Sequence, residues 1–124
     1  MRSKQVRSGE SERRKHRRVP FDRPCWCEGD DVTLYVRFAN ASEGGSFLRT
    51  AISLDIGRRA RLAWYSPEIQ DEVVAEVEVV WRSSDRPNEP GPRGMGLRFL
   101  SFEKNGDRFL DILRRGGGDK DAAS

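Results

Sequence analysis

The sequence predicts an all-β domain, a small antiparallel barrel or sandwich followed by one C-terminal helix. Three observations carry that expectation. Apolar and polar residues alternate in short runs, first in Val32, Leu34, Val36 and Phe38 and again in Val73, Ala75, Val77, Val79 and Trp81, which is the period of a half-buried strand. Clusters of Gly, Pro, Asn and Asp separate such runs at short intervals. Only the last stretch, with Phe102, Phe109, Leu110 and Leu113, carries an apolar stripe at helical spacing.

In chain order, residues 1–12 are polar and charged and are expected to form a disordered basic tail. Residues 13–18 fit a turn or a short helical piece, and Pro20 keeps Val19 from continuing a helix. Residues 21–28 read as a first strand, with Pro20 and Pro24 marking it as an edge or irregular strand. Gly29-Asp30-Asp31 is a hairpin turn signal. Residues 32–38 form the second strand, and Asn40 continues its inner face just past the end. Residues 46–50 make a short strand, and residues 60–65 another, with Leu62 and Trp64 on one face. The longest strand covers residues 72–82. Residues 83–94 are too rich in Pro, Gly and Asn for regular structure. Met95, Leu97 and Phe99 supply a final strand, and Ser101 is placed to cap a helix over roughly residues 102–115, weakened by Gly106. Residues 116–124 are expected to fray. The folded domain is thus 13–115, and Trp26 and Trp64 are read as packing residues.

Composition limits the function classes. A chain of 124 residues with 35% hydrophobic and 35% charged residues has a small core under a heavily charged surface, which fits one domain rather than a large enzyme. There is no apolar run near the ~18 residues a membrane span needs. The charged N-terminus is not followed by the apolar segment of a secretory signal, so a cytoplasmic location is expected. Charge is uneven. Residues 1–18 hold eight Lys and Arg against Glu10 and Glu12, a net of +6, whereas the remainder is mildly acidic at −3. The basic segment therefore calls for an anion such as a phosphate, a nucleic acid or a membrane surface. Cys25 and Cys27 sit two apart, on one face of a strand, and fit ordinary reduced thiols. No second Cys pair or additional His completes a zinc site. His16 has no evident nucleophile partner and there is no Gly-Lys-Ser/Thr phosphate loop, so neither catalysis nor a cofactor or metal is expected.

Two stretches carry chemistry. In the first, residues 13–18 place four arginines, a lysine and the single histidine directly before the first apolar residues. Arginine presents a planar fork of donors that matches both a phosphate and the O6/N7 edge of guanine. The same run also fits a solvated tail or a generic nucleic-acid contact. In the second, Asn40-Ala41-Ser42-Glu43-Gly44-Gly45 follows a strand. Asn can bond a base edge, Ser a phosphate oxygen, and glycines admit close approach to backbone amides. A plain turn uses the same residues.

Taken together and in this order, the two stretches resemble the PilZ domain family, whose members bind the bacterial second messenger cyclic di-GMP. The family's motifs are Arg-x-x-x-Arg before the first strand and Asp/Asn-x-Ser-x-x-Gly after the second. Arg14-Lys15-His16-Arg17-Arg18 matches the first, with Arg13 as the additional arginine often found before it, and Asn40 to Gly45 matches the second. Ser46-Phe47-Leu48-Arg49-Thr50, Val77-Glu78-Val79-Val80-Trp81 and Gly94-Met95-Gly96-Leu97-Arg98-Phe99 look like the family's later strands. The departure is Asn40 in place of the more frequent Asp.

The resemblance implies a six-stranded antiparallel β-barrel with a C-terminal helix and a flexible basic N-terminal arm. It implies that Arg14 and Arg18 hold a phosphate and a guanine edge, that Asn40 meets guanine N–H groups, and that Ser42 and the Gly44–Gly45 backbone face a phosphate or a second base. Arg17 is the alternative register for the second arginine. Trp81 stands at the barrel rim, where an indole can stack on a base, a contact of about 1–3 kcal/mol, or simply close the core. The expected function is a stand-alone cyclic di-GMP receptor whose arm orders on ligand binding and signals to a partner protein. The alternatives are a non-specific nucleic-acid-binding module, disfavoured by the acidic body, and an interaction domain of the same fold without ligand.

Overall fold

The computed structural model describes residues 18–115. The two expected tails, and with them Arg13 and Arg14, lie outside the described residues. Seven strands follow one another: β1 (Val19–Pro20), β2 (Pro24–Glu28), β3 (Thr33–Ala41), β4 (Gly45–Arg49), β5 (Arg59–Ser66), β6 (Asp71–Arg82) and β7 (Gly94–Lys104), and then helix α1 (Gly106–Arg114). Their order is β1-β3-β2-β5-β6-β7-β4, and a further β3–β4 pairing closes the ring. Six strands therefore form a closed antiparallel barrel, as the sequence predicts, and β1 rides outside it as an extra strand on β3.

Alternation puts the core inside. Val73, Ala75, Val77 and Val79 of β6 are all fully buried, as is Leu62 of β5. At one end, Phe38 meets Phe21 at 5.1 Å and Trp64 at 4.8 Å, and Phe109 of α1 meets Trp64 at 5.1 Å, all edge to face. Such pairs contribute about 0.5–1.5 kcal/mol each beyond area burial. Phe109 and Leu113 are the buried residues of α1, so the helix closes that end of the barrel.

The structure corrects four expectations. The first strand is split, because Pro20 and Pro24 each lack an N–H and Phe21 turns into the core between them. Only β1 is an edge stub; β2 lies between β3 and β5 and is interior. Pro24 is tolerated there as the first strand residue. β3 continues to Ala41, so Asn40 belongs to the strand. Trp26 does not pack in the core. Cys25 and Cys27 take the inner face, which sends Trp26 outward to stand half-exposed beside Tyr35, 4.6 Å away across the ladder. Finally, β7 runs on to Lys104, and Ser101 caps nothing. Asn105 precedes α1, at φ 59°. The twelve-residue β6 offers β7 partners along its length through several register shifts, and that pairing overrides a weak helical pattern. Phe102 still meets Phe109, at 5.9 Å, but from the strand.

The thiols are buried. Desolvation, with the charge of Glu28 behind it, pushes Cys27 up to about 11, and burial raises Cys25 further, so both are poor nucleophiles near neutral pH. No helix among the described residues is long and apolar enough to cross a membrane.

One ion pair clasps the chain just after β1. Arg23 is 9% exposed; its Nη1 donates to Glu68 Oε1 at 2.7 Å, its Nη2 pairs with Oε2, and its guanidinium lies 4.6 Å over the Phe21 ring. Ser66 Oγ donates to the same carboxylate at 3.0 Å. The hydrogen bonds from Arg23 hold the Glu68 carboxyl at about 2, below its ordinary 4.5. A lowered folded-state value means stability that is complete above about pH 4.5 and drains as pH falls towards 2. Glu68→Gln is expected to cost about 2 kcal/mol near neutrality, the range for charge-assisted hydrogen bonds. Thermal melts of both proteins from pH 7 to 2 check this: the gap should shrink on acidification, and a gap constant with pH sinks the assignment.

Candidate functional site

The two motif stretches meet because β1 pairs with the end of β3. Val19 lies opposite Ala41 and Pro20 opposite Asn40, an antiparallel register that brings Arg18 alongside the second motif. Arg18 Nη1 donates to Asn40 Oδ1 at 2.8 Å. Beyond Pro20 the pairing continues irregularly, with Phe21 N–H on the Ala39 carbonyl at 3.4 Å and Phe38 N–H on the Arg23 carbonyl at 2.9 Å. Phe21, 1% exposed, anchors the root of the basic segment in the core.

Arg18 and Asn40 open onto a cleft of about 440 Å³, lined on its other walls by Ser46 and Phe47 of β4, Trp81 of β6, and residues of the 83–93 connection. Trp81 is half-buried. Its indole stacks on Phe47 at 5.2 Å and 21°, and it lies against Gly96, where an added Cβ would come within 2.1 Å of Nε1. Ser46 is 1% exposed, and its hydroxyl has no hydrogen-bond partner among the described residues. The charged side chains of the lining are Arg18, Arg86 and Glu89, a balance that favours an anion. An aspartate in place of Asn40 would neutralise Arg18. The asparagine leaves that positive charge intact, and its Oδ1 retains a second lone pair for a donor on a ligand.

Ser42, Gly44 and Gly45 are placed differently. Ser42 Oγ accepts from the amides of Gly44 and Gly45, each at 3.3 Å, and the Ser42 amide donates to the Gly45 carbonyl at 2.8 Å. This closes the tight turn from β3 into β4, and none of the three lines the cleft. Gly45 also lets β4 approach β7, since a Cβ there would sit 2.0 Å from the Leu97 carbonyl oxygen. At the tip of the turn, Glu43 accepts from Arg114 Nε of α1 at 3.2 Å.

The structure thus brings Arg18, Asn40 and Trp81 to one cleft, holds Ser42, Gly44 and Gly45 in the adjoining turn, and leaves Arg13 and Arg14 outside the described residues. Phe47, Ser46 and Arg86 join the cleft without having been singled out as site residues. The one sequence signal for them was position: Ser46 and Phe47 directly follow the second motif, and Arg86 falls in the loop after Trp81. Among the described residues no cluster of three or more His, Cys, Asp or Glu side chains is arranged to hold a metal.

A family model described as PilZ domain matches residues 12–114. Among solved structures, the chain is similar to that of the Bacillus subtilis inhibitor of motility, MotI/DgrA, with a TM-score of 0.66 and 21% identity, covering 83% of this chain and 51% of the other. The chain therefore spans about half the length of that relative, and the likeness is one of fold. No curated protein matches.

Proposed function

The chain belongs to the PilZ domain family, and from that premise we propose that it is a cyclic di-GMP receptor that signals to a partner protein from the cytoplasm. PilZ domains are regulatory receptors rather than enzymes, and the name of the solved relative, inhibitor of motility, supports a regulatory output. The observation that carries the reading is the 2.8 Å bond between Arg18 and Asn40, which joins the two motifs at the mouth of a cleft with an aromatic wall.

The ligand is a dianion with two guanine bases. Arg18 answers a phosphate or a guanine O6/N7 edge with its fork of donors. Asn40 accepts from guanine N–H groups, and Trp81 supplies a stacking surface. On this reading Arg14, and Arg13 before it, add further guanidinium groups for the same ligand's phosphates and guanine edges. Ser42 and the Gly44–Gly45 backbone act on the phosphate or second base through the turn they build. Binding locks residues 13–18 against the barrel, and the surface offered to a partner changes accordingly, a disorder-to-order switch.

Calorimetric titration with cyclic di-GMP tests this. A saturable isotherm and a raised melting temperature are expected. Absence of heat and of any melting shift at high micromolar ligand overturns the receptor reading. If the chain instead binds any duplex with steep salt dependence and ignores the dinucleotide, the nucleic-acid reading takes its place.

A further inference from the structure

We propose that Arg86, a residue in neither motif, contacts the ligand directly, its guanidinium covering the outer face of a purine base seated on Trp81. The proposal rests on the reading of the cleft as a purine dinucleotide site and adds to it a specificity-determining residue.

Arg86 is held at its backbone and loose at its tip. Its N–H donates to the Ser83 carbonyl at 2.9 Å, closing the 3₁₀ turn Ser83–Asp85, and its carbonyl accepts from Glu89 N–H at 3.1 Å. The root of the loop is pinned as well. Arg82 grips Asp85 with Nε at 3.0 Å and Nη2 at 2.9 Å and reaches Asp55 at 3.1 Å, and Gly94 N–H donates to Ser83 Oγ at 2.8 Å. The side chain, by contrast, is 51% exposed, and its carboxylate partner Glu89 stands 3.9 Å away and is 65% exposed, a pairing that counts for little in water.

The guanidinium meanwhile lies 5.0 Å from the Trp81 ring centroid. It is a flat, delocalised cation occupying a position over the indole where a base would stack. The indole itself is fixed by Phe47 and Gly96. When a base takes the place on Trp81, Arg86 needs only to lift away from a weak contact and settle on the base, exchanging one π face for another. A guanidinium stacks in this way and an ammonium does not, because the planar fork is what matches the base. The Arg18–Asn40 pair lines the same cleft, so an edge-reading pair and a face-covering residue would share the base.

Titration of cyclic di-GMP into the unsubstituted chain, Arg86→Ala and Arg86→Lys, with a ligand-free melt of each, tests the assignment. Arg86→Ala is expected to weaken binding about tenfold at unchanged melting temperature, and Arg86→Lys to weaken it nearly as much although the charge is kept. Equal or tighter binding by Arg86→Ala overturns the proposal, the tighter result marking Arg86 as a mere competitor for the indole. Full affinity in Arg86→Lys overturns it too, since charge alone would then suffice. No binding by the unsubstituted chain overturns the receptor reading, and the Arg86 proposal falls with it. A normal isotherm that Arg86→Ala leaves untouched overturns the Arg86 proposal alone.

Discussion

Arg18→Ala is expected to weaken cyclic di-GMP binding at least tenfold, a loss of about 1.4 kcal/mol or more, while leaving the ligand-free melting temperature where it was. Arg18 is exposed and stands just before β1; its one described hydrogen bond, to Asn40, is itself solvent-exposed. Removing such a bond costs stability little, for exposed polar contacts exchange readily with water. Against a bound phosphate or guanine the balance differs. A charge-assisted hydrogen bond there contributes about 1.5–3 kcal/mol, and the fork of Arg18 can make two. The substitution also frees Asn40 Oδ1 from the bond that orients it, so recognition of guanine suffers from both sides. Arg14→Ala should show a comparable loss. Calorimetry on the variants, with a melt of each alone, measures both quantities. Unchanged affinity in Arg18→Ala would move the ligand away from this cleft, and a large fall in melting temperature would recast Arg18 as structural.

Gly45→Ala is expected to act in the opposite way, lowering the melting temperature by more than about 10 °C. A Cβ at residue 45 lands 2.0 Å from the Leu97 carbonyl oxygen, 3.1 Å from its carbon and 3.3 Å from the Arg98 Cα. All three are backbone atoms of β7, paired with β4 in register from Gly45↔Arg98 to Arg49↔Gly94, so no side chain can swing aside. The strands must part locally, and overpacking of that kind costs about 3 kcal/mol. At roughly 4–8 °C per kcal/mol for a domain of this size, the shift is easily read by calorimetry or circular dichroism. A variant that melts normally yet loses ligand would show instead that the glycine serves close approach of a phosphate. The two substitutions separate what the paired motifs run together: Arg18 faces the cleft, and Gly45 faces a strand.

The strands were legible because period-two alternation in β3 and β6 leaves one answer for which face is buried; alternation fits a barrel or a sandwich, and it was the resemblance that pointed to the barrel. The Arg18–Asn40 meeting was legible for a local reason, since one hairpin separates the two stretches and β1 needs only two residues of pairing to dock. Phe102 misled because its seven-residue spacing to Phe109 satisfies a helix as well as a strand that leads into one. Trp26 misled because a tryptophan reads as core, whereas the inward-facing Cys25 and Cys27 leave it no inner position.

By itself the sequence determined most of the strands, the faces they bury, the positive charge of the segment before β1 and the two motif stretches that meet at the end of β3. These follow from local quantities: side-chain period, turn chemistry, charge and short-range pairing. Only the tertiary structure decided that Ser42 and Gly45 build the turn while Phe47, Ser46 and Arg86 complete the cleft. Those placements depend on β4 pairing with both β3 and β7, and on the 83–93 loop returning over Trp81. The β3–β4 and Trp81–Arg86 contacts are short-range, but the two that close the cleft, Phe47 on Trp81 and β4 on β7, join residues about 34 to 53 positions apart, and nothing in the neighbourhood of either residue records a partner that far along the chain.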